Sequence, residues 1–501
     1  MAQVGGRPGR LALPSLAAGV AIALSLPPWG WWPLAFGGAA LLYWRLEGLG
    51  ARARLWAGWV AGLGCFVPGL VWAREFNWYG AVVLIALEAL FMGVAALLVP
   101  PHRARWAAFP AAFTMAAAVR MAWPFGGLPI GGAFLGQAGG PLLVAARLGG
   151  SLVLEAAVWL GGAGLGELAL AATRREGRRR TLTGAVLCSV VVALGLGALI
   201  APSGGAPVGG LQVSAVQGGG HRGTTVQEEG QPGAFAAQLA ATKQFEAGQL
   251  GPRLVLWPED VVALTRPLAG SPQARVLSKL ARQQGATVVA GVIEPASPTT
   301  FFNRVVAWGP SGRVVGTYEK VHRVPFGEYV PLRGFFAHFA SLAAVPKTAV
   351  PGNGSGLLRT PAAPLGVLVS FEVFYDGRAR SSVRDGAELL VVPTNASSYS
   401  ATQIPTEELA AARIQAVAEG RDLVQAAPTG LTAVVDNDGT VVARSTLGSA
   451  QDIESTVDLR TGRTLFERFG DLPLLVVAVV ALVAAWVPAR RRRPAREHEV
   501  G

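Results

Sequence analysis

The sequence predicts a multi-domain chain: a polytopic α-helical membrane bundle of about eight spans joined to one extramembrane α/β domain. Three observations carry this. Of 501 residues, 51% are hydrophobic and only 15% charged, against roughly a quarter charged in soluble chains. The shortfall is confined to residues 11–201 and 472–489, whereas 202–470 has an ordinary soluble composition. Within that stretch, strand-like and helical patterns alternate. The expected division is a transmembrane bundle over 1–201, an extracytoplasmic domain over 205–465, and a final span with a basic tail over 466–501.

A membrane span needs roughly 20 apolar residues. Stretches of that kind lie at 11–28, 31–44, 55–73, 79–100, 106–123, 148–173, 182–201 and 472–489. The first two are separated by Pro27, Pro28 and Gly30 and read as a helical hairpin. The net charge of +12 comes largely from Arg7, Arg10, Arg52, Arg54, Arg103, Arg105, the run Arg174 to Arg180, and Arg490 to Arg493. Each cluster abuts an apolar stretch, which fits anionic headgroups and the positive-inside rule rather than nucleic acid. Eight crossings put every cluster and both termini on the cytoplasmic side, with 202–471 outside. Residues 1–10 lack a removable leader. Glu88, Glu155 and Glu167 lie within apparent spans, where ionisable groups usually face a bundle interior. Cys65 and Cys188 also lie in apolar stretches and offer neither a disulfide framework nor metal-ligand spacing.

In the α/β domain, strand-like runs occur at Leu211–Gln217, Arg253–Trp257, Thr287–Ile293, Phe301–Trp308, Arg313–Tyr318, Gly366–Ser370, Glu388–Pro393, Asp422–Ala427 and Leu431–Val435. Helical patterns fall at 233–248, 271–284 and 405–419. Pro405 followed by Glu407 and Glu408 suits the first turn of the last helix. Asn437-Asp438-Gly439 reads as a hairpin turn. Gly204–Gly210 and 462–471 read as linkers to the membrane. Phe335, Phe336 and Phe339 suit an interfacial lid or, equally, a buried edge of the core.

Three chemistry-bearing residues follow strand ends, where α/β sheets commonly place their sites. They are Glu259 in Trp257-Pro258-Glu259, Lys320 after Tyr318-Glu319, and Ser370 after Val369. A carboxylate beside a nucleophile can act as its general base, and an ammonium can stabilise a developing oxyanion. Glutamate, lysine and a hydroxyl therefore suffice for acyl transfer, although a lone Glu or Lys at a strand end is usually a solvated residue.

The string from Tyr318 through Lys320, His322, Pro325 and Glu328 to Pro331 resembles the signature of apolipoprotein N-acyltransferases, the membrane-bound branch of the nitrilase (carbon–nitrogen hydrolase) superfamily. Trp257-Pro258-Glu259, Gly366–Glu372 and Pro393-Thr394-Asn395 resemble its other site segments, so the likeness spans nearly the whole chain. It implies an αββα nitrilase-type sandwich, with Glu259 as general base, Lys320 as oxyanion stabiliser, and Glu328 and Glu372 in support. It implies transfer of an acyl chain from a phospholipid, through an acyl-enzyme, to the amino group of a diacylglyceryl-cysteine lipoprotein at a bacterial inner membrane. No metal or organic cofactor is expected. The family's nucleophilic cysteine is replaced by Ser370. Phe371, Ala396-Ser397-Ser398 and Gly219 also depart from the family pattern. The missing thiol raises one alternative, a homologue that binds lipid or lipoprotein without turnover.

Overall fold

The computed structural model describes residues 8–75, 78–102, 104–174, 177–220, 232–244, 253–338, 345–399 and 402–487. The first part is helical throughout: α1 Pro8–Ala23, α2 Pro33–Arg45, α3 Ala51–Leu70, α4 Trp78–Leu98, α5 Arg105–Arg120, the short α6 Ala133–Gly136, α7 Ala146–Arg174 and α8 Gly177–Leu199. Four segments, Ala51–Glu75, Trp78–Leu98, Leu143–Thr173 and Gly177–Leu199, are long and apolar enough to cross a membrane. Ala12–Ala23 and Leu472–Trp486 are shorter apolar helices. Their outward faces carry exposed Val82, Leu182, Val186, Leu196, Val476 and Val480, a distribution that water disfavours and lipid tolerates.

The carboxylates Glu88, Glu155 and Glu167 are turned inward and partnered, as a low-dielectric surrounding favours. Glu88 pairs with Arg120 at 3.2 Å. Glu155 accepts from Phe134 N at 2.9 Å and Trp159 Nε1 at 2.8 Å. Glu167 accepts from the Tyr43 hydroxyl and lies 3.5 Å from Arg180. Arg54 and Arg105, expected at headgroups, are buried instead. Arg54 donates to Leu49 O at 2.8 Å and to Leu97 O near the end of α4 at 3.4 Å, and Arg105 pairs with Glu47 at 3.2 Å and donates to Tyr43 O in the last turn of α2. Arg7, Arg103 and Arg490 to Arg493 lie outside the described residues.

The α/β part begins with β1 Gly209–Gln217 and continues through α9 Pro232–Gln244, β2 Arg253–Leu256, β3 Val262–Ala263, α10 Pro272–Gln284, β4 Thr287–Pro295, β5 Thr300–Trp308 and β6 Val314–Glu319. There follow the single turn α11 Arg333–Phe336, β7 Thr348–Ala349, β8 Leu357–Arg359, β9 Pro364–Val367, α12 Asp376–Arg384, β10 Leu389–Pro393 and α13 Ile404–Glu419. The chain ends with β11 Leu423–Ala426, β12 Ala433–Val435, β13 Val441–Arg444, β14 Gln451–Leu459, α14 Leu465–Phe469 and α15 Leu472–Trp486.

Two mixed sheets result, ordered β14-β1-β2-β4-β5-β6 and β13-β12-β11-β10-β9-β8. The period-2 alternation of a strand decides which layer each side chain joins. Leu389 and Val391 of β10 enter a core between the sheets with Val213, Leu254, Val289 and Val367. Their neighbours Leu390 and Val392 point the other way, into a cluster shared with α12, α13 and the bundle. On the far side, Leu277, Leu280 and Ala281 of α10 cover Val255, Val288 and Ala290. Strands buried on both faces read as unbroken apolar runs, which is why Leu389–Pro393 is apolar throughout. The result is a four-layer αββα sandwich whose second helix layer rests on the bundle.

Both expected linkers are part of the fold. Gly209 and Gly210 open β1, paired with Leu459 and Asp458. Residues 465–469 form α14, capped by Thr464 Oγ1 accepting from Glu467 N at 3.0 Å, with Phe466 buried. β14 is an element that sequence patterning does not mark, because its burial is irregular; it pairs with β1 over all of Gln451–Leu459.

Domain and bundle are joined at a break in α7. Gly149 and Gly150 leave helical geometry there, Gly150 at φ 61. The freed backbone amide of Ser151 donates to Asp376 Oδ2 at 2.6 Å and its hydroxyl to Oδ1 at 2.7 Å. Gln415 Nε2 holds Oδ1 at 2.8 Å from α13. A Cβ on Gly150 would lie 2.4 Å from Asp376 Oδ2 and 2.8 Å from Phe466. Gly150→Ala is therefore expected to lower the thermal unfolding temperature of detergent-solubilised protein by several degrees, since a strained φ alone costs about 1–3 kcal/mol. An unchanged transition would contradict this account of the junction.

Candidate active site

Glu259, Lys320 and Glu328 reach one point from three different segments. Glu259 follows β2 in a turn where Trp257 N bonds Val289 O at 2.8 Å and Gly291 N bonds Pro258 O at 3.1 Å. The turn lies directly over β4, and only glycine at 291 permits this: a Cβ there would meet Glu259 Cα at 2.5 Å. Lys320 leaves β6 with its amide on Asn303 O at 3.0 Å. Glu328 sits on a tight turn in which Val324 N donates to its Oε2 at 2.7 Å, and Glu328 N returns to Val324 O at 2.9 Å.

The three side chains form one hydrogen-bonded group. Lys320 Nζ lies 2.9 Å from Glu259 Oε1 and 3.0 Å from Glu328 Oε1. Asn303, from the middle of β5, donates through Nδ2 to the same two oxygens at 2.8 and 2.7 Å. All four are buried, Lys320 to 2% exposure. Burial alone would pull the Lys320 ammonium down, but Glu259 and Glu328 outweigh it and hold the amine above the usual lysine range. Burial pushes Glu259 up, opposed by Lys320 and reinforced by Glu328. One ammonium cannot neutralise two carboxylates, so Glu259, raised by burial, is poised to carry a proton.

Ser370 does not end a strand. The strand β9 stops at Val367, and Ser370 opens a 3-10 turn, Ser370–Phe374, with φ 49. A non-glycine residue in the left-handed region is strained and persists where its surroundings over-determine it. Glu372 supplies much of that constraint. Its two oxygens accept from Val369 N at 2.9 Å, Val321 N at 2.8 Å, His322 N at 2.9 Å and the Tyr318 hydroxyl at 2.9 Å. A single fully buried carboxylate thus fastens the Ser370 turn to the backbone following Lys320. The Ser370 hydroxyl donates to Glu408 Oε1 at 3.4 Å, and Thr394 Oγ1 donates to that oxygen at 2.8 Å. The shared acceptor Glu372 sets the Ser370 turn against the segment following Lys320, and the charges of Glu259 and Lys320 both act on Glu408.

Glu407 and Glu408 are not the solvated helix-start acids that their sequence position suggests. Both are buried, because the start of α13 lies between the sheet and the bundle. Glu407 Oε2 accepts from Gly131 N at 3.2 Å. Asn303 and Glu408 belong to no motif in the sequence, and a polar residue inside the apolar strand Phe301–Trp308 is the one signal for Asn303; Thr394 lies in the Pro393-Thr394-Asn395 segment that the resemblance marks, and its contact with Glu408 adds its role. His322 stacks on Tyr375 with ring centroids 4.2 Å apart, and burial with nearby Arg378 pushes it down to about 4. It is neutral near pH 7 and unsuited to shuttle protons there. Tyr375 and Tyr329 donate to Gly127 O and Phe125 O at 2.8 and 3.1 Å, tying the site to the loop after α5. Phe335 is exposed and Phe336 packs edge-on against Phe326; Phe339 lies outside the described residues.

Comparison with known proteins places this geometry in context. The carbon-nitrogen hydrolase family model matches residues 214–465, and that of the apolipoprotein N-acyltransferase N-terminal domain matches residues 18–164. The apolipoprotein N-acyltransferase of Mycolicibacterium smegmatis is 30% identical over 502 residues, covering 94% of this chain and 84% of that protein. That of Azotobacter vinelandii is 31% identical over 517 residues, with 97% and 96% coverage. That of Rhizobium leguminosarum is 27% identical over 494 residues, with 89% and 90% coverage.

Removing the ammonium tests the group. Lys320→Met leaves two carboxylates facing each other without a counter-charge, and breaking a buried pair in this way costs about 3–5 kcal/mol. In the variant the Glu259 carboxyl is raised above its unfolded value, so stability is retained at low pH and lost as pH rises through the folded value. Thermal unfolding should show the deficit against wild type narrowing from about pH 8 to about pH 5; a deficit independent of pH would contradict the assigned charges.

Proposed function

This chain belongs to the apolipoprotein N-acyltransferase family, and we infer that it moves an acyl chain from a phospholipid to the N-terminal amine of a diacylglyceryl-cysteine lipoprotein through an acyl-enzyme on Ser370. The single observation that carries this reading is the buried Glu259–Lys320–Glu328 group, tied through Glu372 to a serine in a strained turn. Lys320 has three N–H donors. Among the described residues, Glu259 and Glu328 take two of them, and the third can serve an oxyanion. Glu259, raised by burial, is the general base toward the incoming amine and gives its proton to leaving oxygen in the other half-reaction. Glu328 and Glu372 position these groups and do not react.

Lipid substrates account for the architecture. Donor and acceptor are both held in a bilayer, so a site fixed at its surface meets them by two-dimensional diffusion. The helices of 1–201 and α15 form eight crossings of a bacterial cell membrane, with the α/β domain on the extracytoplasmic face and both termini in the cytoplasm. The even number of apolar helices and the distribution of arginines support this orientation.

The test uses the full chain in detergent micelles with phospholipid and a diacylated lipopeptide. Triacylated product is expected, together with an acyl adduct on Ser370 in intact-mass spectra that resists neutral hydroxylamine better than a thioester. Failure of both wild type and Ser370→Cys to form product would remove acyl transfer as the reading.

A further inference from the structure

A hydroxyl does not ionise near neutral pH, so a serine nucleophile needs a base in contact with its oxygen as it attacks. Glu259 is committed elsewhere, its Oε1 accepting from Lys320 at 2.9 Å and Asn303 at 2.8 Å. The carboxylate that touches the Ser370 hydroxyl is Glu408, 3.4 Å away near the start of α13. Catalytic hydrogen bonds in unliganded enzymes are often this long and tighten when substrate enters. Glu408 is 4% exposed, and Thr394 Oγ1 steadies the same oxygen at 2.8 Å.

We propose that Glu408 is a second catalytic residue, the general base that takes the proton of Ser370 Oγ, so that a Ser370–Glu408 dyad serves the nucleophile while Glu259 and Lys320 serve the substrate. This rests on the acyl-transfer reading above. In the first half-reaction the Oγ proton passes to Glu408 as the Oγ–C bond forms at the phospholipid ester carbonyl. Collapse breaks the ester C–O bond, and the departing lysophospholipid oxygen takes a proton from protonated Glu259. In the second half, the lipoprotein amine attacks the acyl carbon and loses a proton to Glu259. The Oγ–C bond then breaks and Glu408 returns its proton to Oγ. Both carboxyls end as they began.

The environment suits the task. Burial pushes Glu408 up to about 7, with the negative charge of Glu259 adding to it and the hydrogen bonds of Thr394 and Ser370 and the charge of Lys320 opposing. A base of that strength is ionised in useful amount and still pulls on a hydroxyl proton. The neighbouring acids do not compete. Glu372 is spent on backbone amides and the Tyr318 hydroxyl, and Glu407 turns toward the bundle, where its Oε2 accepts from Gly131 N.

The experiment measures single-turnover acylation of the full chain in micelles by phospholipid, read by intact mass between about pH 5 and about pH 9. Ionised Glu408 is the active form, so the rate at Ser370 should rise with pH through a midpoint near 7. Glu408→Gln should slow it by about 10²–10⁴-fold and abolish that rise. In Ser370→Cys the same Glu408→Gln change should cost less than about tenfold, because a thiol supplies its own thiolate. Equal losses in both backgrounds, or no loss with serine, would overturn the assignment. Where Glu408→Gln fails to unfold cooperatively, Thr394→Val is the substitute. It removes a hydrogen bond that favours the carboxylate, so the midpoint should move to higher pH, and an unmoved midpoint counts against the dyad. Acylation of Ser370→Cys but never of wild type would overturn the serine nucleophile itself, and no acylation in either would overturn the function.

Discussion

The buried ammonium of Lys320 organises the site, and much of the surrounding fold exists to keep it where it is. Removing a lysine and two glutamates from water is costly, and the cost is met only when each charge finds partners at hydrogen-bond distance. Lys320 finds Glu259 at 2.9 Å and Glu328 at 3.0 Å, and Asn303 bridges the two carboxylates from below. Those partners arrive from β2, β5, β6 and the turn at 324–329, so the group cannot assemble unless the first sheet has its register. The bare backbone of Gly291, which lets the Glu259 turn lie across β4, belongs to the same constraint.

A second carboxylate, Glu372, connects this half of the site to the other sheet. By accepting from Val321, His322, Val369 and Tyr318 it spans the Lys320 segment and the Ser370 turn. Two sheets packed face to face can slide a little relative to each other. A fully buried four-fold acceptor across them cannot be stretched without stranding a charge. The strain at Ser370 is held by this fixture and by the start of α13.

The bundle enters through a different set of contacts. Asp376 caps the second half of α7 at Ser151, Gln403 Nε2 donates to Pro68 O at 2.6 Å, Glu407 binds Gly131 N, and Arg147 pairs with Asp438. Helix α13 thus carries Glu408 toward the serine and Glu407 toward the bundle from adjacent positions. In the proposed reaction the serine has to be held at a fixed position against the bundle, and this helix contacts both. Replacement of a thiol by a hydroxyl shifts the chemical demand from the nucleophile to its base. Glu408, the carboxylate proposed to answer it, lies on that same helix.

Local composition sufficed for the gross plan. Apolar runs of span length, arginines at their ends, and the alternation of strand and helix patterns over 211–444 marked out two parts, and strand ends followed by Glu259 and Lys320 pointed to acyl chemistry. Those signals are short-range, and one segment carries each. What depended on distant segments was not legible. The strand Gln451–Leu459 acquires its identity from pairing with Gly209–Gln217 far earlier in the chain. Asn303 reads as an interruption of an apolar strand, and Glu408 as an acid favouring a helix start, until the sheets bring them against Lys320 and Ser370. Sequence by itself determined the two-part plan and marked Glu259, Lys320 and Ser370 as residues able to do the chemistry. Only the tertiary structure decided which of them share a site, because burial and opposing charge, which assign the protons, are properties of neighbours that the chain order does not place side by side.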